Sequence, residues 1–353
     1  MYTQGFLTGA LSAAAVYAIY TVLVEGSLSG IKQSSNHDAE FHKNDIASGE
    51  DILKYGVPNR GPALRYYRNH ILAYDQSKRT PVWVAEHLTK EKLHGNADRR
   101  KSKFRPDPAV PSMFSSGNGD YLGSGWSRGH MAPAGDNKYD QEAMDDTFYL
   151  TNIVPQDMEN NAGFWNRFEM FCRDLTKQFT DVRVISGPLA LPNLEEDGKK
   201  YVKYEVIGDS MVPVPTHLFK VILTENAETD QHSQFLGAFI VPNVPISSEH
   251  KLQKFQVPLE DLERVAGVTF FDKLDKGQVQ DLCSSDRCQL IPQKHFEMHF
   301  IGRRMENAKT VEELENIWNE MKNKKSKPTK DIKNLYEERK EELMPDRMRA
   351  ELK

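Results

Sequence analysis

From Thr147 to Val241 the chain sets β-patterned runs around one amphipathic stretch, and that order restricts its fold more than any other feature. Phe148–Val154 (FYLTNIV), Val182–Ile185, Tyr201–Ile207, His217–Leu223 and Phe235–Val241 are rich in β-branched and aromatic residues, which suit a pleated, half-buried surface. Between the first two, Ala162–Phe179 puts Phe164, Phe168, Phe171, Cys172 and Leu175 on one stripe of helical period, as in a helix packed on a core. Strands gathered around such a helix imply a compact domain of mixed α and β structure. Upstream, Arg65–Ala73 reads as a strand, and Pro81–Leu88 begins as a strand and turns helical. Pro258–Ala266 is a short helix opened by proline. Beyond His295 strand patterns stop, and Val311–Lys322 and Lys330–Leu343 read as charged amphipathic helices joined by a Lys-rich hinge. There are no internal repeats.

A chain of 353 residues, 39% hydrophobic, can bury one large core or two modest ones. Its net charge of −5 gives no global attraction for nucleic acid, so a polyanion site must come from local positive clusters. Lys90–Arg105 is the densest early one, with Lys90, Lys92, Arg99, Arg100, Lys101, Lys103 and Arg105 against Glu91 and Asp98. It is either solvated surface or a phosphate-contacting face, and the interleaved Phe104 favours neither decisively. Cys172, Cys283 and Cys288 are too few for a disulfide framework or a Cys-based zinc site. Cys172 falls in the helical pattern as a buried thiol. Cys283 and Cys288 form either a small loop disulfide or two free thiols.

Gly5–Val24 is a run without charge. As a helix it spans about 30 Å, one bilayer core. No basic residue precedes it, so it reads as an uncleaved anchor, with a cleaved targeting segment as the alternative. Polar Gly26–Glu50 reads as a tether, and the folded domain begins near Asp51.

Two segments carry candidate chemistry. In Gly123–Ala134 (GSGWSRGHMAPA), glycines flank an aromatic, and Pro133 makes helix through His130 unfavourable. An imidazole can take a proton from water at neutral pH. In an extended strand Arg128 shares the face of His130 and can meet a phosphate. In Gln156–Arg173, a helix starting near Asn161 puts Asn161, Trp165, Glu169 and Arg173 on one slowly drifting stripe. Mg²⁺ takes few protein ligands and keeps several waters. Asn161 suits such an ion as its direct ligand, and Glu169 suits the role of holding the ion's water. Lys138 and Arg105 are further candidate phosphate contacts.

On these residues the sequence resembles the DNA/RNA non-specific endonuclease family, and within it the mitochondrial exo/endonuclease G branch. The family's Asp-Arg-Gly-His, with an Asn about thirty residues later and a Glu eight beyond it, is matched by Arg128-Gly129-His130, Asn161 and Glu169. Asn152, Gln156 and Trp165 match too. Ser127 stands where many members carry the leading Asp, a departure that fits the exo/endonuclease G branch. The likeness runs from about Asp51 to His295. It implies an α+β fold: a ββα-metal core with a central, mostly antiparallel sheet flanked by helices. It also implies a helical extension over 296–353, an anchor over 1–25 and a linker over 26–50.

The likeness further implies a Mg²⁺- or Mn²⁺-dependent hydrolase of DNA and RNA with both 5′–3′ exonuclease and endonuclease action. In that reading His130 is the base, Arg128 and Glu169 assist, and Asn152, Gln156, Trp165 and Arg173 serve the substrate. Homodimers, held at the mitochondrial inner membrane through residues 5–24 with the catalytic domain in the intermembrane space, are implied as well. Two other classes fit parts of the pattern: a membrane-anchored nucleic-acid-binding protein without turnover, and a metal-dependent phosphodiesterase for small molecules.

Overall fold

The computed structural model describes residues 51–56, 64–226, 234–284, 288–323 and 327–344. The expected anchor and linker lie outside them. Among the described residues no helix is long and apolar enough to cross a membrane.

The centre is a mixed sheet. Its strands are β1 (Leu64–Tyr66), β2 (His70–Asp75), β3 (Thr80–Leu88), β6 (Asp181–Leu189), β7 (His217–Glu225), β8 (Phe235–Pro242) and β9 (Gln256–Val257), hydrogen-bonded in that order. All these pairs are antiparallel. β10 (Gln280–Asp281) adds to β8 in parallel. Alternation along the strands sorts the side chains onto two buried faces. Leu218 and Ile222 of β7 face one layer with Phe164, Phe168 and Phe171. Phe219, Val221 and Leu223 face the other, with Leu262 and Phe270. Burial on both faces explains why β3 runs as strand through Leu88 instead of turning helical.

Other expectations shift in instructive ways. Arg65–Ala73 is two strands, β1 and β2, because the chain reverses between them and Leu64 pairs with Ala73. Of FYLTNIV only the end is strand: Leu150–Asn152 is a 3₁₀ turn leading into β5 (Ile153–Gln156). Tyr201–Ile207 contributes only its two ends to separate small hairpins, Asn193–Tyr201 and Val206–Pro213. Its middle is exposed, with Tyr204 46% accessible, and no core face holds it flat. Cys283 and Cys288 are bonded to each other, and Cys172 is a buried free thiol.

The proline-opened helix is α3 (Leu259–Ala266). The C-terminal extension is three helices, α4 (Gln293–Asn307), α5 (Val311–Asn323) and α6 (Lys330–Leu343). The expected boundary at position 295 falls inside α4. The extension's helices share their own small core, including Met305, Leu314, Met321 and Tyr336. Buried Arg167, from the main core, donates to the carbonyl of Ile291 at 2.9 Å, just ahead of α4.

Candidate active-site cleft

A second, two-stranded ladder stands apart from the main sheet. β4 (Ser127–His130) pairs antiparallel with β5, matching Ser127 with Gln156 and His130 with Ile153. The chain then passes through Met158–Asn160 and a π turn, Asn161–Trp165, into α2 (Asn166–Leu175). Strand, strand and helix together border a cleft of about 1460 Å³. Ser127, Arg128, His130, Lys138, Asn161, Glu169 and Arg173 line it, as do Arg99 and Arg100 of the basic run. His299 and Arg303 of α4 line it too.

The π turn corrects the expected stripe. A π turn takes one more residue than an α turn, so the position under Asn161 falls to Asn166, which lines the cleft. Trp165 rotates inward and is fully buried. Glu169 and Arg173 return to the cleft wall. Trp165, expected at the substrate, packs in the core cluster.

Asn152 and Gln156, also expected at the substrate, are both fully buried. The Asn152 Oδ1 accepts from the Ala132 N–H at 2.9 Å. Its Nδ2 donates to the carbonyls of Ala132 and Thr147, each at 2.9 Å. It stitches the chain leaving β4 to the chain entering β5. Gln156 packs behind the strand: a Cβ on Gly129 would lie 2.2 Å from its Oε1, so Gly129 is there to let it approach. Arg105 stacks on the Tyr149 ring at 4.2 Å and does not line the cleft. Lys138 does, and burial, with Arg173 and Arg303 adding, holds its pKa below the usual lysine value.

His130 is clamped between Phe104 and Phe148, with ring centroids 5.2 and 5.0 Å away. Its Nε2 is buried and has no protein hydrogen-bond partner. Burial, reinforced by Arg99 and His70, pushes its pKa down to about 3. The imidazole is therefore neutral at physiological pH, as a proton acceptor must be. Arg128 lies over the Phe104 ring at 4.6 Å and donates to Asn118.

Glu169 behaves oppositely: burial raises its carboxyl to about 7, against the pull of Lys220 and Arg173. Arg173 is tied to buried Asp136 at 2.7 Å. Ser127 explains itself here, because its hydroxyl donates to the Gln156 carbonyl at 2.8 Å and accepts from Asn161 Nδ2 at 2.9 Å. With Nδ2 so engaged, Asn161 keeps Oδ1 as its spare acceptor, the hard oxygen that suits Mg²⁺. A hydroxyl can do both jobs; a carboxylate could only accept.

A different cluster, Asp51, His87 and Asp181, also has ligand atoms close enough to share an ion. It does not line the cleft. Both ring nitrogens of His87 already face carboxylates. Arg183 reaches Asp51 at 3.0 Å, and Lys92 donates to the His87 carbonyl at 3.1 Å. Two cations so near oppose a third positive centre, so the arrangement reads as an ion-pair clamp on the start of the domain.

Residues 48–277 match the sequence profile of the DNA/RNA non-specific endonucleases. The chain belongs to that family. Among similar members, the zebrafish protein named "Nuclease EXOG, mitochondrial" is 53% identical over 294 residues, 83% of this chain and 85% of its own. The human protein of the same name is 45% identical over 345 residues, 97% of this chain and 92% of its own. These relatives put the chain on the EXOG-like branch of this family of nucleic-acid hydrolases. A solved structure of the EndoG/EndoGI complex contains a chain 42% identical that superposes with a TM-score of 0.63. The match covers 69% of this chain and 96% of that one.

Of the residues the sequence did not single out, Asp136, Phe148, His299 and Arg303 matter most. Phe148 was in view as strand residue only, and nothing in the local sequence ties α4 to the cleft.

Proposed function

We propose that the protein is a divalent-metal-dependent nuclease that hydrolyses phosphodiester bonds in DNA and RNA without reading sequence. The observation that carries this is one cleft lined by His130, Asn161, Glu169, Arg128 and Arg173. The metal, held directly by Asn161 and through water by Glu169, would stabilise charge on the phosphate and the leaving oxygen. His130 takes the proton of the attacking water. Arg128 and Arg173 neutralise the phosphate, which itself offsets the nearby Arg99 charge and lifts the basicity of His130. Lys138 and Arg303 extend the positive lining.

Drug-sized ligands occupy pockets of about 300–1,000 Å³. The larger cleft, with cations spread along it, favours a polymer over a small phosphodiester. The relatives' names support a mitochondrial setting. Anchoring through residues 5–24, an intermembrane-space catalytic domain, homodimerisation and added 5′–3′ exonuclease action complete the proposal.

End-labelled single- and double-stranded DNA and RNA, incubated with Mg²⁺ or EDTA, test it. Mg²⁺-dependent cleavage that falls at least a hundredfold in His130→Ala, with the melting curve retained, is the expected result. Cleavage unaffected by EDTA, or at the normal rate in His130→Ala, would remove the mechanism.

A further inference from the structure

Arg128 is held differently from Arg173, the other arginine assigned to the phosphate. Arg173 is tied to a buried carboxylate, Asp136. Among the described residues Arg128 has no carboxylate within ion-pair distance, and the groups that hold it are neutral. Its guanidinium lies 4.6 Å over the Phe104 ring, and Nη1 donates to Asn118 Oδ1 at 2.6 Å. The other end of the same amide turns back, Asn118 Nδ2 donating to the Phe104 carbonyl at 2.8 Å. Phe104 and Asn118 thus close a ring of contacts around one side chain.

Both sides of that ring are anchored. The Phe104 ring packs against Phe148 at 4.9 Å and His130 at 5.2 Å. Asn118 opens the short helix Asn118–Tyr121, whose Tyr121 is buried in one cluster with Leu150 and Ile153. Asp120 of that helix accepts from the Gly117 N–H at 2.7 Å and from the Ser210 N–H at 3.0 Å. Asn118 itself is exposed and does not line the cleft.

A guanidinium presents its N–H donors in one rigid plane. The bond to Asn118 engages Nη1 and leaves Nε and Nη2 without a protein partner among the described residues. That edge can meet two phosphate oxygens at once. A free arginine loses rotamer freedom when it grips a phosphate, whereas a seated one has already lost it. An amide seats the group without neutralising it; a carboxylate in the same place would cancel the charge the phosphate needs.

We infer that Asn118 is a positioning residue for Arg128. With the Phe104 ring as floor, its amide seats the guanidinium so that the Nε–Nη2 edge and the full positive charge are left for the scissile phosphate. It touches neither substrate nor metal. This inference rests on the proposed function, since it assumes that Arg128 meets the phosphate. It also gives the end of the basic run a place: Phe104 serves the site through its ring and its carbonyl.

The test makes Asn118→Ala and Asn118→Asp in the full chain, and Asn118→Ala also in an Arg128→Ala background. Cleavage of DNA with Mg²⁺ is read under single-turnover conditions, so that slow variants stay measurable. DNA affinity over a salt series in EDTA and thermal unfolding are read beside it. Asn118→Ala is expected to lower the specificity constant for cleavage about fivefold to tenfold with unfolding unchanged. In the Arg128→Ala background the same change should matter by less than about twofold. Asn118→Asp keeps the accepting oxygen but adds a charge, so DNA affinity falls and the slope of log affinity against log salt drops by about 1. Asn118→Ala keeps that slope.

An equal loss from Asn118→Ala with Arg128 absent would overturn the inference and make Asn118 a direct substrate contact. Wild-type cleavage by Asn118→Ala would overturn it too, as would a lowered melting temperature in both variants with cleavage restored on cooling. If wild type cleaves nothing with Mg²⁺ or Mn²⁺, the proposed function itself fails and this extension goes with it.

Discussion

Replacing Asn152 by Ala separates two views of one residue. As a substrate contact, Asn152 would matter to KM and little to stability. The structure instead has it bonding three backbone groups, the Ala132 N–H and the carbonyls of Ala132 and Thr147, at full burial. Asn152→Ala leaves all three unpaired, each at a cost of about 1–3 kcal/mol when water cannot replace the lost partner. Allowing for partial relaxation, the sum is about 3–6 kcal/mol, a large share of the ~5–15 kcal/mol that holds a typical domain together. The released segment begins two residues past His130, so the base loses its placement as well. Chemical denaturation followed by fluorescence, with kinetics at a temperature where the variant is folded, measures both effects. Destabilisation by several kcal/mol is expected, with kcat falling and KM nearly constant. A variant within about 1 kcal/mol of wild type that fails only in KM would refute the reasoning and restore Asn152 to the substrate.

Other substitutions and conditions probe different parts of the site. Gly129→Ala should cost about 1–3 kcal/mol by forcing a methyl onto Gln156, and Gly129→Ala/Gln156→Ala should recover most of it in a double-mutant melt. His70 is fully buried and its pKa is pushed down to about 3 by burial. A group depressed in the folded state stabilises fully above its unfolded value of about 6.5 and loses that contribution as pH falls toward 3. The melting-temperature gap between His70→Leu and wild type should therefore shift in favour of the variant from pH 7.5 to 5, and a constant gap would contradict this. Glu169, raised to about 7 by burial, must lose its proton to serve a cation. Calorimetric Mn²⁺ affinity should climb with pH through that value and flatten in Glu169→Gln. Arg303→Ala should lower the slope of log affinity for DNA against log salt by about 1 at constant sequence preference.

The sequence made some parts of this site legible for physical reasons that can be named. Pro133 barred helix at His130, and period-2 alternation then put Arg128 beside it; both line the cleft. Asn161, Glu169 and Arg173 all line the cleft, although Asn161 does so from the π turn and the other two from α2. Trp165 does not, since the π turn that rotates it inward is fixed by packing onto the sheet and Lys220, which leave no mark in a local window. Asn152 and Gln156, expected at the substrate, have buried side chains. A motif match identifies a position, whereas burial decides what its amide bonds. His299 and Arg303 reach the cleft only through the fold of α4, more than a hundred residues beyond β4, so spacing could not have found them. The bond between Cys283 and Cys288 was one of two open readings, because a short separation permits closure without requiring it.

Crystals soaked in Mn²⁺ and measured at the manganese absorption edge would test the central claim most directly, since the anomalous signal locates the ion itself. The account predicts a peak in the cleft about 2.0–2.3 Å from Asn161 Oδ1, with Glu169 reaching it through water and the Asp51–His87–Asp181 cluster bare. A peak at that cluster with none at Asn161 would contradict it.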